Sequence, residues 1–374
     1  MLAGAVALAG VAAVLAASAG PDAPVPPAAV PTVPAGPPAA DPGLPIVDVA
    51  VGARSAYALL GVCGGPEQAR TCSYRLSRRD PGGAGWASRP LPPEALATAG
   101  FSARLFVSGT DGLVTVVDAP NTDTAFVTAD GGASFAVRLI RPGPPIAAVP
   151  PEGILELGTC QECADRLTVL DPATGLLRPL AAQPSLGPGV PVRTLTCRGD
   201  VIWSVGAGRN RAASAVSTDR GRSWRTVPLP GLRTPVPMMR MAATAAGGAY
   251  LLVGRDSRPD VLNEFSELWS VDRPGGSWRP VDPGLRPRSA VSLVAGRRGL
   301  LVSEESGTVW RLRPGGSMSR LPDPVVDGQP HGPGRLVGGT GPLVLATPVD
   351  GPLPQTVLTS VDGGESWRAE RLPR

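Results

Sequence analysis

The stretch Ser217–Trp224, which reads STDRGRSW, decides the fold of this chain. Alternating apolar residues flank it at Ser214–Val216 and Arg225–Val227, so the stretch is predicted to be the turn of a β-hairpin. The aspartate of such a turn can accept backbone N–H bonds, the glycine can adopt a positive φ, and the tryptophan covers the hairpin with a large apolar face. The pattern therefore predicts a structural role for this aspartate rather than a catalytic one.

The same pattern, S-x-D-x-G-x-S-W, recurs along the chain. Ser360–Trp367 matches it fully, and Thr128–Phe135 matches it with conservative changes. Ser270–Trp278 contains one inserted residue, and Ser77–Trp86 fits loosely. These stretches resemble the Asp box, or BNR repeat, of sialidase-like and photosystem-assembly-factor-like β-propellers. The residues assigned to the boxes are Ser77, Asp80, Trp86, Thr128, Asp130, Gly132, Phe135, Ser217, Asp219, Gly221, Ser223, Trp224, Ser270, Asp272, Gly276, Trp278, Ser360, Asp362, Gly364, Ser366 and Trp367.

The spacing of the boxes predicts the number of blades. Successive boxes begin 51, 89, 53 and 90 residues apart, so each long gap is expected to hide one degenerate repeat. Leu170–Leu176 and Val309–Met318 supply them, and Gly-rich turns between apolar strands recur seven times in the same phase. We predict an all-β, seven-bladed β-propeller with four-stranded antiparallel blades over residues 46–374. Because Ile46 would begin a first strand and Arg374 end a fourth, the termini are not expected to share a blade.

Composition and charge exclude several classes. The chain has 48 Gly and 45 Pro in 374 residues, which rules out a mainly helical protein, while 43% hydrophobic residues rule out a wholly disordered one. All 35 basic residues are arginine, as is typical of a GC-rich genome, and the net charge is only +4. Without a block of like charges, nucleic acid is not an expected partner. No cofactor motif is present.

The first 45 residues are predicted to lie outside the fold. Leu2–Ala19 is uncharged and ends in an A-x-A pattern, so residues 1–20 are interpreted as a signal peptide or a membrane anchor. Residues 21–45 contain ten prolines and are predicted to form an extended linker. The protein is therefore expected to be secreted or extracytoplasmic, with membrane contact only through an uncleaved N-terminus.

The five cysteines are expected to form disulfides rather than a metal site. Cys63 and Cys72 bracket a loop between two strands and are predicted to pair. A second bridge is expected within Cys160, Cys163 and Cys197, which leaves one thiol free and its identity open. The chain contains one histidine, His331, far from these cysteines, so no zinc site is expected.

A ligand is expected on the face opposite the boxes, as the resemblance to propellers implies. Its candidate residues lie at strand ends and in long loops, and are Arg209, Arg211, Arg255, Asp256, Arg258, Asp260, Glu264, Glu304, Glu305 and His331. The resemblance to sialidases does not extend to their site, because no Arg-Ile-Pro motif occurs and all three tyrosines fall in predicted strands. We therefore expect a monomeric, non-catalytic module for a protein or glycan ligand. The alternative is a glycoside hydrolase, sialidase-like or acting through two carboxylates.

Overall fold

The structure, a computed structural model, describes a large part of the chain between residues 44 and 373. The described residues are 44–52, 55–64, 71–79, 85–91, 103–108, 113–118, 124–157, 166–255, 264–284, 287–296, 298–313, 316–326, 328–338, 343–348 and 355–373. The predicted signal or anchor and the proline-rich linker lie outside them.

Six four-stranded antiparallel sheets, each built from strands consecutive in the chain, form blades I to VI. Blade I comprises β1 (Ile46–Val51), β2 (Ala56–Gly64), β3 (Thr71–Arg79) and β4 (Trp86–Pro90), and blade II comprises β5 (Ala103–Ser108), β6 (Leu113–Asp118), β7 (Thr124–Thr128) and β8 (Ala136–Leu139). Blade III comprises β13 (Val192–Arg198), β14 (Val201–Ala207), β15 (Ala212–Ser217) and β16 (Arg225–Val227). Blade IV comprises β17 (Met238–Ala243), β18 (Ala249–Arg255), β19 (Glu264–Val271) and β20 (Arg279–Val281). Blade V comprises β21 (Ala290–Gly296), β22 (Gly299–Glu304), β23 (Val309–Leu312) and β24 (Met318–Arg320), and blade VI comprises β27 (Pro333–Gly338), β28 (Val344–Pro348), β29 (Thr356–Ser360) and β30 (Arg368–Arg371).

The sheet between blades II and III breaks this rule, and we call it the irregular sheet. It contains β9 (Arg141–Pro142), β10 (Ile154–Leu157), β11 (Leu167–Asp171) and β12 (Leu176–Pro179), in the order β10-β11-β12-β9 with β9 parallel to β12. The prediction of seven antiparallel four-stranded blades is therefore wrong: in the part of the chain that the structure describes, six sheets are of that kind. A further short hairpin, β25 (Val325–Val326) and β26 (Gln329–Pro330), lies before blade VI.

The physical reason for the irregular sheet is the path of the chain after blade II. Where an inner strand was expected, residues 141–146 run along the outer edge of β12, and Ile146 forms a parallel bridge with Leu180. Only a turn remains at the predicted hairpin, with the Gly153 N–H donating to the Pro150 carbonyl. β10 pairs antiparallel with β11 and so has the direction of a second strand. It occupies the inner edge of its sheet in place of a first strand.

Apolar clusters join the sheets into a ring. One cluster lies between blades I and II, one on either side of the irregular sheet, and one between each later pair of neighbours. The last joins blade VI to blade I, where Leu345 and Val357 pack on Ala56 and Leu60. Second strands such as β14 and β18 are buried on both faces, which explains their near-continuous apolar sequence.

The ring closes without a shared blade, as predicted, because β1 and β30 belong to different sheets. Side chains complete the closure: Glu370 of β30 accepts from the Trp86 indole at 2.8 Å and pairs with Arg79 at 2.8 Å. On the inner strands, Arg335 of blade VI lies 2.6 Å from Asp48 of blade I. Apolar packing and these polar contacts therefore replace a closing strand.

Candidate functional site

The box turn of blade III is held by its own side chains. Ser217 Oγ donates to Asp219 Oδ1 at 2.7 Å and accepts the Gly221 N–H at 2.7 Å. The Ser223 N–H and hydroxyl donate to the Asp219 carboxylate at 3.0 and 2.5 Å. These hydrogen bonds, from Ser223 above all, lower the pKa of Asp219 to about 2. The carboxylate is therefore engaged in shaping the turn.

Two further turns repeat this arrangement. In blade II, Thr128 and Ser134 donate to Asp130 while Gly132 donates to the Thr128 hydroxyl. Ser360, Asp362, Gly364 and Ser366 of blade VI make the same bonds. Hydrogen bonds from Ser134 hold the pKa of Asp130 well below its usual range. Burial acts to raise the pKa of Asp362, but the bonds from Ser366 and Ser360 outweigh it and lower the pKa.

The two weaker boxes differ. In blade IV, Asp272 pairs with the Arg279 guanidinium at 2.7 and 2.6 Å instead of with the turn, and the Gly276 N–H donates to the Arg273 carbonyl. Positive φ falls on Gly275 there, since one residue is inserted. In blade I, the Ser77 hydroxyl lies 3.0 Å from the Ser88 hydroxyl, and Asp80 lies outside the described residues.

Each box aromatic packs toward the preceding sheet of the ring rather than only over its own hairpin. Phe135, Trp224 and Trp367 pack on the clusters that join blades II, III and VI to the sheets before them. Trp278 lies in the cluster between blades III and IV, and Trp86 packs on the one between blades VI and I. The expectation that the tryptophan covers its hairpin is therefore incomplete, because its partner comes from another sheet.

The predicted loop-face residues that the structure describes make different contacts. The Arg211 guanidinium donates to the Leu186 carbonyl at 2.9 Å, and Arg255 donates to the carbonyls of Arg233 and Pro235. The Glu304 carboxylate accepts the Arg288 N–H and the Ser306 hydroxyl.

The other loop-face candidates are dispersed. Glu264 bridges Ser289 through the backbone, and the His331 N–H donates to the Pro324 carbonyl. Arg209 and Glu305 are exposed, while Asp256, Arg258 and Asp260 lie outside the described residues.

A cavity of about 420 Å³ lies in the central channel, at the ends of the inner strands. β13 runs toward this end and β14 runs away from it, so the loop after β14 lies at the opposite end, and the box turn after β15 lies at the cavity end. The cavity is therefore on the box side of the ring, opposite the predicted loop face. Its lining is mostly Gly, Ala, Val, Leu and Met, with Thr196, Cys197 and Arg198 as the polar side chains.

Arg198 links three blades at this end of the channel. Its guanidinium, from blade III, lies 3.3 Å from the carbonyl of Ala243 in blade IV and 3.3 Å from that of Ala295 in blade V. Burial lowers the pKa of Arg198. An arginine nevertheless keeps its charge in proteins, so the cavity carries a fixed cation in its wall.

Side-chain oxygens of one inner strand also bind backbone N–H groups of the next. Asp48 accepts the Leu105 N–H at 2.9 Å, Thr196 accepts the Ala243 N–H at 3.2 Å, and Ser292 accepts the Leu336 N–H at 2.7 Å. Inner strands are sheet edges and expose unpaired backbone groups, which these contacts satisfy. The carboxylate of Asp48, which is 4% exposed, is therefore engaged in a contact between two neighbouring blades.

The inner strands carry arginines that the sequence predictions did not single out. Arg104, Arg240 and Arg335 are exposed although the other residues of β5, β17 and β27 are buried or half-buried, and Arg193 is exposed on β13, whose other residues are mostly half-buried. Both faces of each sheet pack on neighbouring sheets, so an exposed side chain on an inner strand reaches solvent through the channel. The sequence contains a feature that could have identified these arginines, since each of them precedes a Gly-rich hairpin by a few residues.

Glu156 is the second carboxylate near the channel. It lies on β10 at the inner edge of the irregular sheet, with Ile154 of the same strand packed toward blade II. Burial raises the pKa of Glu156, and the charge of Arg104 opposes that shift. This interaction places Glu156 near Arg104 across the boundary with blade II.

The cysteines are only partly described. The backbones of Cys63 and Cys72 are paired directly opposite each other on β2 and β3, but their side chains lie outside the described part of the chain. Cys160 and Cys163 also lie outside it. Cys197 carries a free thiol, accessible from the channel, while the surrounding protein reduces its hydration and raises its pKa. Both disulfides stay predictions.

No metal site is seen among the described side chains, since none of their His, Cys, Asp and Glu residues form a group of three or more. Of the segments that the structure describes, none is a helix long and apolar enough to cross a membrane. Among the described residues, the channel is the place where charged side chains lie beside a cavity.

Comparison with solved structures supports the fold. The chain is similar to the β-propeller domain of the Trilobed protease from Pyrococcus furiosus, with a TM-score of 0.50 and 10% identity over 89% of this chain and 98% of that domain. It also matches the GH74 xyloglucanase from Xanthomonas campestris, with a TM-score of 0.39 and 19% identity over 87% of this chain but 47% of the enzyme. A third match is the GH93 α-L-arabinofuranosidase of Fusarium graminearum, with a TM-score of 0.40 and 10% identity over 88% and 93% of the two chains.

No protein-family model and no curated protein matches the sequence. The chain spans about half the length of the xyloglucanase. At these identities the similarity shows a β-propeller and nothing finer.

Proposed function

We propose that this protein is a binding or scaffold β-propeller of the Asp-box type that catalyses no reaction on its ligand. The proposal rests on the contacts that the carboxylates of the inner strands make. Strands β1, β5, β10, β13, β17, β21 and β27 contain two, Asp48 and Glu156. Asp48 is buried, pairs with Arg335 and accepts two backbone N–H bonds, so it is occupied in holding the ring together.

Two-carboxylate glycoside hydrolysis needs an acid and a second carboxylate that both reach the substrate. Glu156, with its raised pKa, meets the first requirement in part, whereas Asp48 is turned to backbone groups. Glycoside hydrolysis is the second candidate, because Glu156 supplies one inner-strand carboxylate whose pKa is raised by burial.

A panel of fluorogenic glycosides, together with a glycan array, tests the proposal on the full chain. We expect no turnover, and glycan or protein binding without product formation. The matched variant is Glu156→Gln, which removes the ionisable group and keeps the side-chain volume. Turnover that this variant abolishes while the protein still melts like the wild type would overturn the proposal in favour of the hydrolase.

We also propose that the propeller acts outside the cytoplasm, as a monomer, held to the membrane only if the N-terminal segment stays uncleaved. The uncharged stretch Leu2–Ala19 and the ten prolines of residues 21–45 support this location. Mass determination of the native protein tests it. Loss of the residues up to Ala19 indicates secretion, an intact N-terminus in the membrane fraction indicates an anchor, and an intact soluble cytoplasmic chain contradicts both.

A further inference from the structure

The inner strands that line the channel carry more arginine than the second strands beside them. The inner strands of blades II, III, IV and VI carry Arg104, Arg193, Arg198, Arg240 and Arg335. The second strands beside them, β6, β14, β18 and β28, carry one arginine, Arg255 at the end of β18. Strands of both kinds are largely apolar, so a difference of this size is not explained by the arginine-rich composition.

These arginines outnumber the acids available to them. The same strands, with β1, β10 and β21, contain five guanidinium groups and two carboxylates, an excess of three positive charges in a chain with a net charge of +4. Arg335 pairs with Asp48, and Arg104 lies near Glu156. Among the described residues, Arg193 and Arg240 make no hydrogen bond or ion pair. A channel with low-dielectric walls strengthens the field of such uncompensated cations.

The arginines adjoin the cavity. Arg240 precedes Met241, and Arg335 precedes Leu336, both of which line the cavity, and Arg198 is part of the lining. A volume of about 420 Å³ falls in the range of small-molecule sites, which are mainly apolar with a few polar groups that orient the ligand. The channel therefore presents cations on the loop-face side of a chamber whose lining side chains are mostly apolar and whose backbone groups add polar surface.

We propose that the channel binds a small amphipathic anion, with its acidic group at Arg193 and Arg240 and its apolar body in the cavity. This inference deepens the proposed binding function and rests on it. Guanidinium groups suit carboxylate, sulfonate and phosphate oxygens alike, so the shared ligand chemistry is an oxyanion on an apolar body.

A pair of fluorescent probes tests the proposal on the full chain. 8-Anilinonaphthalene-1-sulfonate carries a sulfonate, and N-phenyl-1-naphthylamine has the same ring system without the charge. We expect the sulfonate to bind one site with at least about tenfold higher affinity, as one charge-assisted hydrogen bond would give, and to weaken as salt is added. Equal affinity for the neutral probe would overturn the assignment of an anionic ligand.

The double variant Arg193→Gln/Arg240→Gln locates the site. It should weaken sulfonate binding about tenfold or more and change binding of the neutral probe less than about twofold. The matched control is Arg222→Gln/Arg368→Gln, which removes the same charge from exposed positions outside the cavity lining and should leave both affinities unchanged. If the control weakens sulfonate binding as much as the channel variant does, general surface charge explains the affinity and the proposal fails.

A third variant tests the cavity itself. Cys197 is exposed within the cavity, so Cys197→Phe is expected to fill part of it and weaken both probes. Unchanged binding in a variant that melts like the wild type would place the probes elsewhere. If this variant does not fold, the Arg193→Gln/Arg240→Gln variant still tests the proposed site. Glycoside turnover, measured separately, reports on the non-catalytic function and does not depend on either probe.

Discussion

The turns Ser217–Trp224 and Ser270–Trp278 join the third and fourth strands of neighbouring blades, yet different contacts hold them. In the first, Asp219 accepts hydrogen bonds from two serines of its own turn. In the second, Asp272 pairs with Arg279 on the following strand.

The aromatic residue behaves in the same way in both turns. Trp224 donates to the Ala182 carbonyl at 2.9 Å, next to the irregular sheet, and Trp278 donates to the Ser214 hydroxyl of blade III at 2.8 Å. The box thus contains two separable parts: a local network that shapes the turn and an aromatic that joins it to the preceding sheet. Blade IV keeps the second part without the first.

The largest effect should come from the aromatic contact that blade IV retains. Trp278 is 3% exposed and meets Trp203 edge to face, with ring centroids 5.4 Å apart. Trp278→Ala should therefore lower the free energy of unfolding by about 3–5 kcal/mol, as for other buried aromatic deletions. Trp224→Ala, at a half-buried position, should cost less. Guanidinium denaturation of the full chain measures both, and an equal loss would contradict the distinction between the two sites.

A smaller effect should separate the two aspartates. Asp219→Ala removes three hydrogen bonds in a solvent-accessible turn and should lower the free energy of unfolding by about 1 kcal/mol. Asp272→Ala breaks an ion pair whose two side chains are 67% and 63% exposed, so its cost should stay below about 0.5 kcal/mol. The same denaturation series applies. A larger loss for Asp272→Ala would mean that the inserted turn depends on its carboxylate after all.

The smallest effect is a difference in pH dependence. The folded pKa of Asp219 is about 2, below its usual 3.8, so the ionised form stabilises the folded state. That contribution is complete above about pH 4 and is lost as the pH falls toward 2. The melting temperatures of wild type and Asp219→Asn should therefore converge as the pH falls through this window. Asp272→Asn serves as the control, and a gap for Asp219→Asn that widens on acidification would reverse the assigned sign.

Much of the fold was predictable because its signals are local. The box turns and the apolar second strands follow from neighbouring residues, and the second strands β14, β18 and β22 are near-continuous apolar runs. The irregular sheet was missed because residues 141–153 resemble any other connection followed by a turn. Whether such a segment pairs at the inner or the outer edge of a sheet depends on which edge its neighbours leave open.

The channel could not be placed from sequence for a related reason. Arg104 stands between two buried residues, and Arg240 between a buried and a half-buried one. This alternation predicts that each arginine reaches solvent but not whether it does so at the outer surface or in the channel. Their exposure leads into the channel only because the clusters on both faces of every sheet close the ring. Asp48 illustrates the converse, since nothing in its local sequence indicates partners at Leu105 and Arg335.

By itself, the sequence determined the turns, the strand pattern and the class of fold, because hydrogen bonding within a turn and burial along a strand are decided over a few residues. Only the tertiary structure decided that six blades and one irregular sheet form the ring, that each box aromatic packs toward the preceding sheet, and that five inner-strand arginines surround one channel. Those features depend on contacts between residues tens to hundreds of positions apart, which no local pattern specifies.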